Sequence, residues 1–164
     1  IGILRDLSHE NIVQLRDVIS TLNSEHVYLV LNRLHCDLRN FLDTQNPESP
    51  PETRLAVKSI IRQVLAGVAY LHANSILHRD LKPQNVLLDL QLGLVKITDF
   101  GLARQFLPTA QAYTDKVVTP FYRAPELLLG AGKYTKAIDL WSVGCILAEM
   151  FNLRPLLQGS CEVE

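Results

Sequence analysis

Residues 76 to 89 read ILHRDLKPQNVLLD, and between two apolar runs they crowd His78, Arg79, Asp80, Lys82, Gln84 and Asn85 around a single proline. Val86-Leu87-Leu88 and Leu94-Val95-Lys96-Ile97 flank DLQLG, and two β-prone runs around a glycine-ended turn predict an antiparallel hairpin. With the turn centred near Gln91, Asn85 falls opposite Ile97, and Asp99 emerges at that same end of the ribbon. Asp80 sits in the loop feeding the first strand. One patch therefore gathers two carboxylates, an amide oxygen and the Lys82 ammonium.

A carboxylate and an amide oxygen converging in this way suit Mg²⁺, which takes few protein oxygens and completes its shell with water and phosphate. A nucleotide is the implied ligand. The second carboxylate, unencumbered by metal, can orient or deprotonate a hydroxyl nucleophile, and Lys82 can neutralise charge on a phosphoryl group in flight. The set spells phosphoryl transfer. A lone acidic turn is more often a solvated loop than a metal site, so the weight rests on the combination.

The elements that must position this patch follow from the rest of the chain. IGILRDL reads as the last turns of a helix ended by the polar SHEN, and NIVQLRDVI and HVYLVL read as two strands of a hairpin. DLRNFLD is a short amphipathic helix. Val57, Ile60, Ile61, Val64, Leu65, Val68 and Leu71 recur at helical spacing and predict one long helix. The segment from Thr135 to Asn152 is apolar on nearly every side, which predicts a helix buried in the middle of a helical domain.

With 164 residues, 48% of them hydrophobic and 20% charged, the chain suits one soluble globular domain. Lys plus Arg total 16 against 17 for Asp plus Glu, so no positive excess argues for nucleic acid or an acidic membrane surface. Cys36, Cys145 and Cys161 are an odd number at wide spacing, neither a disulfide framework nor a metal pattern. An intracellular setting, nucleus or cytoplasm, is expected. The most apolar long segment, LWSVGCILAEMF, is short and carries Glu149, which makes it a buried helix and not a membrane span.

HRDLKPQN, DFG at 99 to 101 and APE at 124 to 126 stand in the order of the protein-kinase signature set. Over essentially its whole length the chain resembles a protein kinase of the cyclin-dependent kinase group. The resemblance implies ATP and Mg²⁺ as cofactors, protein substrates, and a cyclin-type regulatory subunit. It implies Asp80 as catalytic base, Lys82 as the phosphate-contacting lysine, Asn85 and Asp99 as metal ligands, and Asp139 as a buried brace under the catalytic loop. Thr119 matches the family threonine that contacts the catalytic aspartate and lysine. LNRLHCDLRNFL resembles the hinge and its following helix, with Leu31 as gatekeeper, Leu34 at the adenine, Asp37 near the ribose and Leu87 flooring the adenine.

Thr114 lies where the family carries its activating phosphothreonine, with Arg79 and Arg104 to hold the phosphate through charge-assisted hydrogen bonds. Val117, Val118 and Arg123 match the loop that accepts a proline after the target Ser or Thr. Mitogen-activated kinases share YTKAIDLWSVGCILAEM but carry Thr-x-Tyr, whereas Thr114 is followed here by Asp115 and Lys116. VVTPFYR departs from the family pattern, because Pro120 removes an amide donor and pushes Thr119 toward an extended backbone.

The fold implied is α+β and protein-kinase-like but truncated. Residues 1–34 would be the end of the C helix, two N-lobe strands and the hinge; residues 35–164 would be a mostly helical, C-terminally incomplete C-lobe. No G-x-G-x-x-G occurs, no lysine precedes Lys58, and Glu126 has no arginine matching the family's later partner. Two readings of the chain stand beside each other: a piece of an active kinase, or a non-catalytic fragment that binds substrates or regulators. In either case the 164-residue chain alone is expected to show no appreciable phosphorylation of a Ser-Pro peptide, since positioning and phosphate neutralisation carry nearly all of this catalysis. Robust turnover that disappears in Asp80→Asn would contradict this.

Overall fold

In the computed structural model residues 2–20, 26–46, 52–105, 120–131 and 134–159 are described. A short helix α1 (Gly2–Arg5) runs into the polar SHEN segment. An antiparallel ribbon follows, β1 (Leu15–Ser20) against β2 (Val27–Leu31), with Leu15 opposite Leu31 and Ser20 opposite Val27. The first strand starts later than its β-prone sequence suggests. Ile12 and Val13, each 1% exposed, turn away from the ribbon, and Ile12 bridges in parallel to Ile97. They gain burial there, which the exposed ribbon does not offer.

Asp37 ends the two-residue strand β3 (Cys36–Asp37) and caps α2 (Leu38–Asp43) by accepting the Asn40 amide at 2.8 Å. The 22-residue helix α3 (Glu52–Ala73) buries Val57, Ile60, Val64, Val68 and Leu71, a stripe spaced three and four apart. Leu65 does not belong to it. It lies one residue off the stripe and is 42% exposed.

After α3 come β4 (Ile76–Leu77), a 3₁₀ turn at Pro83–Asn85, β5 (Val86–Asp89) and β6 (Leu94–Ile97). β7 (Arg104–Gln105) returns to pair with β4, and β5 lies between β3 and β6. The β5–β6 hairpin corrects the expected register by one residue: Val86 faces Ile97, so Asn85 lies opposite Thr98 and not Ile97. The cause is in the turn. The Asp89 carboxylate accepts the amides of Gln91 and Leu92, an Asx turn that, with Gly93 at φ 62°, makes a four-residue loop.

A second 3₁₀ turn, Pro120–Tyr122, leads to α4 (Pro125–Leu128) and then to α5 (Ala137–Asn152). Proline suits the first position of such a turn, where no amide is required. One face of α5 is buried, including Ile138, Val143, Ile146 and Met150, and it packs on α3 and the second 3₁₀ turn. Its other face is open: Leu140, Trp141 and Phe151 are 50%, 42% and 58% exposed. The helix is therefore not enclosed on every side among the described residues. No helix among those residues is long and apolar enough to cross a membrane.

Segment 8–13 is fastened to this body at several points. The Ile97 amide donates to the Asn11 carbonyl and the Val13 amide to the Ile97 carbonyl, each at 2.9 Å. The Asn11 side chain donates to the Val95 carbonyl and to Gln63 of α3, and Lys96 Nζ donates to the Glu10 carbonyl. Gly67 permits the approach, since a Cβ there would stand 2.9 Å from both the Asn11 carbonyl oxygen and Ile97 Cδ1. A Cβ on Gly144 would meet nothing within 4 Å. Gly67→Ala is therefore expected to destabilise the chain by about 1–3 kcal/mol in urea unfolding through overpacking. Gly144→Ala should be neutral or stabilising by up to about 1 kcal/mol, the helix-propensity gain. Equal midpoints for the two variants would contradict this packing.

Candidate active site

The polar loop is built on its backbone before its side chains. β4 delivers His78, whose amide donates to Asp139 Oδ2 at 3.0 Å, and the next amide, of Arg79, donates to Asp139 Oδ1 at 2.9 Å. Holding two successive amides on one carboxylate bends the chain, and Arg79 takes φ 71°, in the left-handed region that non-glycine residues seldom occupy. The His78 ring, fully buried, locks the turn from the other side. Its Nδ1 accepts the Asp80 amide at 3.3 Å and its Nε2 donates to the Thr98 carbonyl at 2.9 Å. The two contacts assign the tautomer with hydrogen on Nε2. Phe100 packs edge-on against the same ring at 5.1 Å.

Asp80 leaves this turn, and two residues converge on it. Lys82 Nζ donates to Asp80 Oδ2 at 2.9 Å, while Asn85 Nδ2 donates to the Asp80 carbonyl at 2.8 Å and to Oδ2 at 3.2 Å. Both acid and lysine are largely enclosed, at 10% and 20% side-chain exposure. With the Asn85 nitrogen committed to Asp80, its oxygen is the group left for an outside ligand. Asp99 follows Thr98, whose amide donates to the Asn85 carbonyl at 3.0 Å, so β6 brings Asp99 to the Asn85 end of the hairpin. Asp99 is exposed, at φ 61°, and accepts the Gly101 amide at 3.2 Å. An aspartate tolerates that backbone better than most side chains.

One exposed carboxylate and one committed amide make a weak cation site by themselves, and among the described residues no three or more His, Cys, Asp or Glu are placed so that together they could hold a metal ion. That donor set fits Mg²⁺ presented together with phosphate and water, which needs few protein oxygens.

Around this centre, Asp37 and Leu87 are register partners across β3 and β5, and Leu31 ends β2 opposite Leu15. Both Asp37 oxygens are engaged by Asn40, through its amide and its side chain. Leu34 lines an open groove with Arg33, His35 and Asp89. Arg104 pairs with Leu77 across β4 and β7, two residues from Arg79, whose guanidinium lies over the Tyr134 ring at 5.7 Å. Arg123 lines a small hollow with Arg79, Asp80, Tyr122 and Ser142. Glu126 is half-buried in α4. Thr114, Val117, Val118 and Thr119 lie outside the described residues.

Asp139 is 1% exposed and stands under the whole loop. Burial opposes its charge, but the hydrogen bond from His72 Nε2 at 2.8 Å and the two loop amides outweigh that and hold its carboxyl below the usual aspartate range. A second buried acid was not singled out as a site by the sequence pattern. Glu149, fully buried, pairs with Arg39 of α2 and accepts the Tyr122 hydroxyl at 2.6 Å. Burial and the bond to Glu149 push the Tyr122 phenol well above its ordinary value. The available signal was a lone acid on the buried face of an apolar helix, which requires a partner.

A small β ribbon joined by a short linker to a helical body, with an acid–lysine–amide loop at the junction, is the architecture of a phosphotransferase catalytic core. The chain belongs to the protein kinase domain family, whose model matches residues 1–164. Members of this family transfer a phosphoryl group from ATP to protein substrates.

The depressed Asp139 carboxyl makes the fold acid-sensitive in a defined direction. Its contribution is fully present above the unfolded aspartate range near pH ~4 and is lost as pH falls through the lower folded value. Urea midpoints of the native chain should therefore fall on acidification in that window, and those of Asp139→Asn should start lower and fall less. Parallel curves for the two proteins would contradict it.

Proposed function

We propose that this chain carries the catalytic loop of a proline-directed Ser/Thr kinase of the cyclin-dependent group. The observation that carries the reading is the convergence of Lys82 and Asn85 on one Asp80 oxygen. Asp80 takes the proton of a substrate hydroxyl as its oxygen attacks the γ-phosphorus of ATP. The bond from that phosphorus to the β,γ-bridging oxygen breaks, and ADP leaves. Lys82, already beside the accepting oxygen, is within reach of the transferred group and offsets its charge. Asn85 and Asp99 would hold Mg²⁺, which supplies charge neutralisation for the phosphates.

Specificity rests on sequence more than on geometry. The glutamine in HRDLKPQN, and Asp115-Lys116 where Thr-x-Tyr would stand, support the cyclin-dependent over the mitogen-activated reading. Val117, Val118 and Arg123 are read as the pocket for the proline that follows the target residue, and Arg123 already borders the hollow beside Asp80. Thr114 is read as the activating phosphosite, with Thr119 bonding Asp80 and Lys82. The Leu77–Arg104 pairing supports the shared use of Arg79 and Arg104 on the Thr114 phosphate. A cyclin-type partner and an intracellular location belong to the same reading.

The test uses the active protein that carries this chain, with paired Ser-Pro and Ser-Ala peptides. Asp80→Asn should lower turnover roughly 10²- to 10⁴-fold, the range of a lost general base, with little change in nucleotide affinity. The Ser-Pro peptide should be strongly preferred. Full activity in Asp80→Asn would remove it as the base, and equal use of both peptides would sink proline direction.

A further inference from the structure

Lys136 occupies the N-cap of α5, the wrong place for a lysine on local grounds. Helix N-caps favour Ser, Thr, Asp or Asn, and a cation opposes the positive end of the helix dipole. The residue is helical in backbone, φ −57° and ψ −18°, and makes no side-chain cap. Its ammonium leaves its own helix altogether and donates to the carbonyl of His72 at 2.5 Å. That carbonyl is in the last turn of α3, where the orphan acceptors and the negative end of the dipole favour a cation. What is unfavourable for α5 is thus favourable for α3.

The residue so held is also gripped elsewhere. Asp139, three positions after Lys136 and so on the same side of the first turn of α5, accepts from the His72 ring at 2.8 Å. Lys136 takes His72 by its carbonyl and Asp139 takes it by its imidazole, so the first turn of α5 meets the end of α3 at two points. From His72 the chain turns through Ser75, at φ 56°, into β4 and returns to the same carboxylate with the amides of His78 and Arg79. The His72 carbonyl also accepts the Ser75 amide at 3.2 Å, so removing the Lys136 contact leaves the end of α3 held by its own turn and by the His72 ring alone, and the carboxylate on that ring is the one that holds those amides.

We propose that Lys136 is a positioning residue for the catalytic loop, setting the separation of the α3 and α5 ends and through it the placement of Asp80; the catalytic part of this statement rests on Asp80 being the base. In the full chain, Lys136→Met keeps the stem and deletes the charge, and Lys136→Arg keeps a donor. Amide exchange at His78 and Arg79 should be roughly two- to thirty-fold faster in Lys136→Met, the range of a helix-end charge, and near native in Lys136→Arg. Amides of Val64 and Val95 should not change. In the active protein that carries this chain, Lys136→Met should lower kcat while KM for ATP stays the same, with recovery in Lys136→Arg.

Unchanged exchange at His78 and Arg79 would overturn the proposal, as would acceleration shared equally by Val64 and Val95, which would mark general destabilisation. Selective acceleration with an unaltered kcat would overturn the positioning of Asp80 by Lys136 and leave only the tie between the helix ends, whereas the assignment of Asp80 as base fails separately, on full activity in Asp80→Asn. A variant too unstable for exchange is replaced by Lys136→Gln, and the same comparison with Lys136→Arg then decides.

Discussion

A carboxylate with almost no contact with solvent governs this structure. Taking an ionised aspartate out of water costs several kcal/mol unless donors replace the lost hydration. Asp139 has three: the His72 ring, the His78 amide and the Arg79 amide. The first belongs to the end of α3 and the other two to the start of the polar loop, so the carboxylate spans the path between them. Satisfying the carboxylate therefore fixes the loop, and the left-handed Arg79 backbone is a cost that the same contacts offset.

The far end of α5 repeats the device with other partners. Ten residues after Asp139, about 15 Å along the helix axis, Glu149 gathers Arg39 and Tyr122. Ser142, between the two acids, donates from its hydroxyl to the Tyr122 carbonyl at 2.7 Å. One helix thus presents a buried anion at each end, one for the loop that carries Asp80 and one for α2 and the turn before α4. Losing Arg39 would leave Glu149 with an uncompensated charge, a situation that typically costs about 3–5 kcal/mol. The apolar residues between the acids supply adhesion, while the acids determine which segments adhere and in what orientation.

Local chemistry was readable in the sequence, and long-range pairing was not. The polar loop, the long helix, the hairpin and the kinase motifs all depend on spacings within a few residues, and the structure has each of these elements, with only the register of the hairpin displaced. The hairpin slipped by one because Asp89 bonds two amides of its own turn, a side-chain effect that strand periodicity does not encode. Ile12 and Val13 have the composition of a strand but are used as packing against β6, since burial outweighs local β-preference. Hydrophobicity alone makes Leu65, Leu140 and Trp141 interior residues, yet they are 42%, 50% and 42% exposed, because the described neighbouring elements cover one side of each helix. The Arg39–Glu149 pair spans 110 residues, and no periodic pattern joins them.

The fastening of segment 8–13 to β6 and α3 has a mechanical meaning. Asn11, Gln63, Lys96 and the Gly67 notch seat this segment on the helical body, so in its contacts it is part of that body and not of the β1–β2 ribbon that follows it. Among the described residues the chain passes between body and ribbon at two short crossings, at residue 14 and across residues 32–35. The first acts as a pivot anchored at Val13 and the second as a strap ending where His35 donates its amide to Leu88 at 3.0 Å. The ribbon is therefore joined to the body like a flap on two pins, one at Val13 and one at His35.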